Sequence, residues 1–119
     1  MSGYSVVVHV NDRERIPIAA GSITNLVKDL APDRPRVELV INGTAVAAFQ
    51  DQKVLQQLQD LQAQGVDVVA CRNSLLMVCG DNPDCPVAED RLPSFIRVVS
   101  AGITEILRRQ SQGYAYIKP

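Results

Sequence analysis

Short runs of consecutive apolar residues alternate along this chain with longer segments in which apolar positions recur every three or four residues, the pattern of strands separated by helices. Tyr4 to Val10 is a β-branched run with His9 near its end, and Asn11-Asp12 breaks it. Ile16, Ala19 or Ala20, Ile23, Leu26, Val27 and Leu30 then follow a helical period. Pro17, tolerated only in a first turn, sets the start near Ile16, and Pro32 and Pro35 force the end. Val37 to Ile41 is a second strand, interrupted only by Glu38. Asn42-Gly43 is by itself a hairpin signal, but Ala45 to Phe49 does not alternate and looks helical, so we read a strand-to-helix turn. Asp51 caps a further helix with Val54, Leu55, Leu58 and Leu61 on its apolar side, a solvated Gln-rich face opposite, and Gly65 as its stop.

Val66 to Cys71 is a third β-branched run that ends in a thiol, and Asn73 is placed to cap the amphipathic segment from Ser74 to Val78. The helix ends at Gly80. Asp81 to Pro93, with Pro83, Pro86 and several acidic residues, reads as a surface loop of a length that often serves as a lid. Phe95 to Val99 forms a fourth strand, followed by Ser100 as a cap. Ile103, Ile106 and Leu107 then make the buried stripe of a last helix that stops at Gly113, with Arg108 and Arg109 suited to its negative end. Strands near residues 4–10, 36–41, 66–71, 95–99 and 114–118, separated by helices, predict an α/β fold: a five-stranded parallel sheet covered on both faces.

Composition narrows the function. The 119 residues fit one domain, 1–119, and a net charge of −1 gives no electrostatic footprint for nucleic acid. No apolar run approaches the roughly 20 residues that span a bilayer, and Met1-Ser2-Gly3-Tyr4 lacks the regions of a signal peptide, so we expect a cytoplasmic protein without a membrane. Three cysteines, an odd number, argue for free thiols in a reducing compartment. Cys79 and Cys85 read as one buried and one incidental loop thiol, with a redox-sensing disulfide as the alternative. His9 is the single histidine and cannot complete a zinc tetrahedron with them, so no metal and no cofactor are expected.

On parallel strands the strand ends converge on one edge, which gathers His9, Asn42 with Gly43, Cys71 with Asn73, and Ser100 with Gly102. Cys71 is the candidate nucleophile, and Arg72 beside it could stabilise a thiolate or receive an anion. Each residue also has a plain structural role: His9 as a hydrogen-bonded core residue, Asn42-Gly43 and Ser100 as turn and cap, Arg72 as a solvated side chain, Cys71 as a small hydrophobe. If the site is chemical, Cys71 should be partly accessible from a crevice and react with alkylating reagents faster than Cys79.

The run Val99-Ser100-Ala101-Gly102-Ile103, then Ile106-Leu107-Arg108-Arg109-Gln110, then Gly113-Tyr114-Ala115-Tyr116-Ile117-Lys118-Pro119 resembles the ending of small DsrE/DsrF-like (YchN-like) proteins associated with sulfur metabolism. The likeness extends to the first strand with His9, to Leu39-Val40 with Asn42-Gly43, and to Gly65-Val66 and Ala70-Cys71 with Asn73 and Leu75. It implies a three-layer α/β/α sandwich that assembles as a homotrimer or homohexamer. It also implies a role as a sulfur-relay protein in which Cys71 carries a persulfide between a sulfur donor and an acceptor protein. The proline-rich loop with Cys79 and Cys85 lies outside the family pattern. A non-catalytic module that binds a small ligand in the same crevice, and a regulatory homo-oligomer without chemistry, remain the alternatives. Against nucleotide binding, Asn11-Asp12-Arg13-Glu14 stands where a Gly-rich phosphate loop would follow the first strand.

Overall fold

Three apolar runs have no water-tolerant face, and they fold as the buried centre of a sheet: β1 (Ser5–Val10), β2 (Arg36–Ile41) and β3 (Asp67–Cys71). The computed structural model describes residues 3–119; Met1 and Ser2, the start of the segment read above for a signal peptide, lie outside them. The shorter β4 (Ile96–Val99) and β5 (Ala115–Ile117) form the edges. The order is β4-β3-β2-β1-β5, and every pairing is parallel. This is the predicted α/β architecture.

The helices α1 (Ile16–Leu30), α2 (Gln52–Ala63), α3 (Arg72–Cys79) and α4 (Gly102–Ser111) connect the strands. From β1 to β4 the chain steps across one strand at a time, and the intervening helices share one face. There Val8, Leu39, Ile41 and Val68 pack under Ile16, Ile23, Leu58 and Leu75. The chain then crosses back beneath the sheet, and among the described residues α4 is the one helix on the other face, where Val7, Val40 and Val69 meet Ile106. Alternate residues of each strand therefore belong to different layers.

Local signals account for most boundaries. Asp12 caps a 3₁₀ turn that leads into α1, with Pro17 in the first turn of the helix, and Asp51 accepts the Lys53 N–H at 2.9 Å to cap α2. After β2 the segment Gly43–Gln50 is 3₁₀ and buries Ala45, Val46, Ala48 and Phe49, so Asn42-Gly43 is no hairpin.

Three expectations are corrected. Ile103 and Leu107 do not form the buried stripe of α4: they are exposed, and Gly102, Glu105 and Ile106 face the sheet instead. The cause is electrostatic, because Glu105 and Arg109 turn inward to meet charged groups on the strands. The segment after α3 is also no free lid. Gly80, at φ +53°, reverses the chain, Cys79 and Cys85 are joined by a disulfide, and Cys85 and Val87 are buried. The cysteines are therefore not all free thiols as expected: the disulfide joins the two taken as a buried and an incidental loop thiol, and only Cys71 is free. Among the described residues no helix is long and apolar enough to cross a membrane.

Candidate functional site

At the carboxyl ends of β3 and β4 the chain diverges, β3 leading into α3 on one face and β4 into α4 on the other, the geometry that opens ligand crevices in α/β sheets. Cys71 is the last residue of β3, and the helix begins at the next residue, so Cys71 is itself the cap: its Sγ accepts the Ser74 N–H at 3.4 Å. Asn73 is therefore not the cap. With no residue between strand and helix, it lies inside the first turn, and its N–H donates to the Ser100 carbonyl at 3.3 Å. That bond ties together the two diverging connections. Ser100 is not a cap either, since Ala101 precedes α4 without a side-chain bond.

Gly102 brings the amino end of α4 onto the thiol. A β-carbon there would stand 3.2 Å from Val40 Cγ1 and 3.3 Å from Asn42 Cβ, tight enough that these neighbours would have to give by a few tenths of an ångström, and in ordinary contact with Cys71 Cβ at 3.4 Å. The sulfur thus lies at the positive ends of two helices. Burial pushes the Cys71 thiol up, but hydrogen bonds from the Ser74 hydroxyl and from the backbone at Gly102, Ser74 and Asn73 outweigh it and hold the thiol below its ordinary value. The Ser74 oxygen in turn accepts the Gly43 N–H at 2.8 Å. Gly43 sits at φ +61°, with the Asn11 carbonyl 3.2 Å from where a β-carbon would be, so the turn after β2 requires glycine.

His9, at the end of β1, is buried and bonded on both ring nitrogens, Nε2 to Asn42 Oδ1 at 2.8 Å and Nδ1 to the Tyr116 hydroxyl at 2.7 Å. The structure thus brings together Cys71, Asn42, Gly43, Gly102 and His9. It does not bring Arg72, whose guanidinium holds Glu89 in a two-point ion pair at 2.7 and 3.1 Å on the surface. Cys71 is only 5 % exposed, less than the accessible crevice expected, because Gly102 and Ser74 close over the sulfur.

Sequence reasoning missed Ser74, Tyr116 and a charged network farther along the same face. Glu38, 2 % exposed in the middle of β2, accepts from Arg109 Nε, while Arg97 Nη2 donates to Asp67 at 2.8 Å and Glu105 at 3.0 Å. Glu38 Oε1 receives no hydrogen bond from any described group. A protonated carboxyl that donates to Glu105 accounts for that atom, and burial, reinforced by Glu105, pushes Glu38 up to about 8. The interruption of an apolar run by one glutamate was the available signal. A cavity of about 480 Å³ at the opposite sheet edge, among Val27, Arg34, Val37 and Val66, offers one charged side chain and no nucleophile.

The structure of a protein of unknown function, MTH1491 from Methanobacterium thermoautotrophicum, is similar to this chain with a TM-score of 0.79 and 33% identity, covering 98% of this chain and 99% of that one. No functionally curated protein matches. The DsrE/DsrF-like family matches residues 4–119, nearly the whole length, and the chain belongs to that family.

Proposed function

We propose that the protein carries sulfane sulfur as a persulfide on Cys71, receiving it from a donor protein and passing it to an acceptor. The observation that carries the reading is a free thiol held below its ordinary value where α3 and α4 begin. Thiolate is the attacking species in such transfers. It attacks the outer sulfur of a donor persulfide, R–S–SH. The new S–S bond forms as the donor's breaks, R–S⁻ leaves, and Cys71 becomes Cys71–S–SH. An acceptor thiolate then attacks the outer sulfur and releases Cys71 as thiolate. Atoms and electrons balance without a cofactor.

Exposed apolar residues support assembly as a homotrimer or homohexamer: Ile103 and Leu107 on the outer side of α4, and Tyr116 and Ile117 on the edge strand β5. The burial of Cys71 favours a second reading, a small-ligand-binding or regulatory homo-oligomer in which the cysteine only caps a helix.

Exposure to inorganic polysulfide, followed by alkylation and mass spectrometry of the Cys71 peptide, separates the two. The carrier reading expects a mass gain of one sulfur atom in the wild type and none in Cys71→Ser, with fold and oligomer unchanged. Equal sulfur uptake by Cys71→Ser, or no uptake by a wild type whose Cys71 resists alkylation, gives the site to the binding reading. Light scattering that finds only monomer at micromolar concentration removes the assembly.

A further inference from the structure

Asn42, the residue that follows β2, stands between two neighbours. On the β1 side its Oδ1 meets His9 Nε2, and His9 Nδ1 meets the Tyr116 hydroxyl of β5. An amide oxygen only accepts, so Nε2 carries a proton and donates to Asn42, while Nδ1 is engaged by the tyrosine hydroxyl. On the β3 side Asn42 is next to Cys71: their β-carbons lie 3.3 and 3.4 Å from the point a Gly102 side chain would occupy. The other end of the amide, the Nδ2 group, makes no hydrogen bond to any described residue. The amide is thus oriented by a buried histidine, with its nitrogen unbonded among the described residues, on the connection that packs against the one free thiol.

From this arrangement we propose that Asn42 Nδ2 receives the terminal sulfur of a Cys71 persulfide, and that His9 and Tyr116 are positioning residues that keep the amide turned that way. The inference rests on the carrier reading and adds to it the group that retains the delivered sulfur. Loading places a second sulfur one S–S bond, about 2 Å, beyond Sγ. When Cys71–S–SH gives its proton to water, the negative charge resides on that outer atom. The donors already on Sγ, the Ser74 hydroxyl and the backbone N–H groups, serve the inner sulfur. The outer one needs its own. A neutral amide stabilises the anion and still releases sulfur to an acceptor, and the nearest arginine in sequence, Arg72, is engaged with Glu89.

The test uses inorganic polysulfide as the sulfur source and reads persulfide at the Cys71 peptide, with the pH profile of Cys71 alkylation measured in parallel. Asn42→Ala is expected to retain about tenfold less persulfide, the effect of losing a hydrogen bond to a charged group, with the alkylation profile nearly unmoved. His9→Gln, whose amide N–H can still donate to Asn42, should retain more sulfur than His9→Leu, and Tyr116→Phe should fall between His9→Leu and the wild type. Wild-type retention in Asn42→Ala overturns the proposal alone. So does loss of retention in step with a shifted alkylation profile, which is the mark of a deformed site. A wild type that takes up no sulfur overturns the carrier reading and this proposal together.

Discussion

Gly102 packs against Cys71, so that a β-carbon on the glycine would touch that of the cysteine at 3.4 Å while crowding Val40 and Asn42 at 3.2 and 3.3 Å. Because α4 is, among the described residues, the one helix on its face of the sheet, the packing at Gly102 bears both on how the helix docks and on how the thiol is solvated. Packing and chemistry are the same feature here.

Gly102→Ala should therefore affect both. Overpacking at a tight contact costs about 1–3 kcal/mol, and moving the Gly102 N–H away from the sulfur should slow Cys71 alkylation at neutral pH. Gly21→Ala is the control: it lies on the exposed side of α1 with nothing within 4 Å. Alanine in an open helical site stabilises by up to about 1 kcal/mol. Urea unfolding of the two variants should move in opposite directions, and equal stabilities would show that Gly102 is not crowded.

Ser74→Ala removes the hydroxyl that bonds the Cys71 sulfur and strands the Gly43 N–H, which loses its acceptor. We expect a stability loss of about 1–3 kcal/mol from the unpaired donor and an alkylation profile displaced to higher pH. Arg72→Ala should leave the profile in place, since the arginine serves Glu89 at the surface, where water screens the ion pair. A profile that moves with Arg72 and stays with Ser74 would invert this account of the thiol.

The sheet was legible because β1, β2 and β3 are apolar on both faces, and runs such as Val66 to Cys71 have no other stable use. The rotation of α4 was not. A hydrophobic period assigns Glu105 and Arg109 to solvent, yet both face the sheet because Glu38 and Arg97 are there to pair with them. Cys71 was legible as a strand-end thiol, but its role as the cap was hidden, since the usual capping side chains are oxygen acceptors and Asn73 stood nearby. Tyr116 was out of reach for another reason. Its partner His9 lies 107 positions away, a separation no local pattern spans.

Cys79 and Cys85 close a short loop, with a sequence separation of 6. On loop-closure grounds such a cross-link stabilises by about 2 kcal/mol. Adding a dithiol reductant should lower the unfolding temperature to that of the Cys79→Ser, Cys85→Ser double variant, whose own temperature should not respond to reductant. In unreduced protein, alkylation should label Cys71 only. A double variant as stable as the oxidised wild type would mean that the buried Cys85 and Val87 hold the segment unaided.

The buried carboxyl pair gives the protein a pH dependence whose sign can be worked out. Glu38 lies in register between Val7 and Asp67 and faces Arg97, Glu105 and Arg109. Burial first, then the hydrogen bond and charge of Glu105, raise its value from 4.5 to about 8 against the pull of Arg109. Glu105 is held down, first by the hydrogen bond from Glu38 and then, against its own desolvation, by Arg97. The proton therefore stays on Glu38. A folded value above the unfolded one means that the native state binds the extra proton, so its contribution is complete below the unfolded value. It is lost as pH rises through the folded one, at no more than about 1.4 kcal/mol per pH unit. Glu38→Gln keeps an oxygen for Arg109 and donors for Glu105 but has no proton to lose. Its stability relative to the wild type should therefore improve steadily between about pH 5 and about pH 8 and level off above. Glu105→Gln removes the anion that Arg97 and Arg109 share, and should be less stable than the wild type throughout that range. Urea unfolding at constant ionic strength across the series provides the check. Parallel curves for the wild type and Glu38→Gln would mean that Glu38 is ionised in the folded protein, with its orphaned oxygen unexplained.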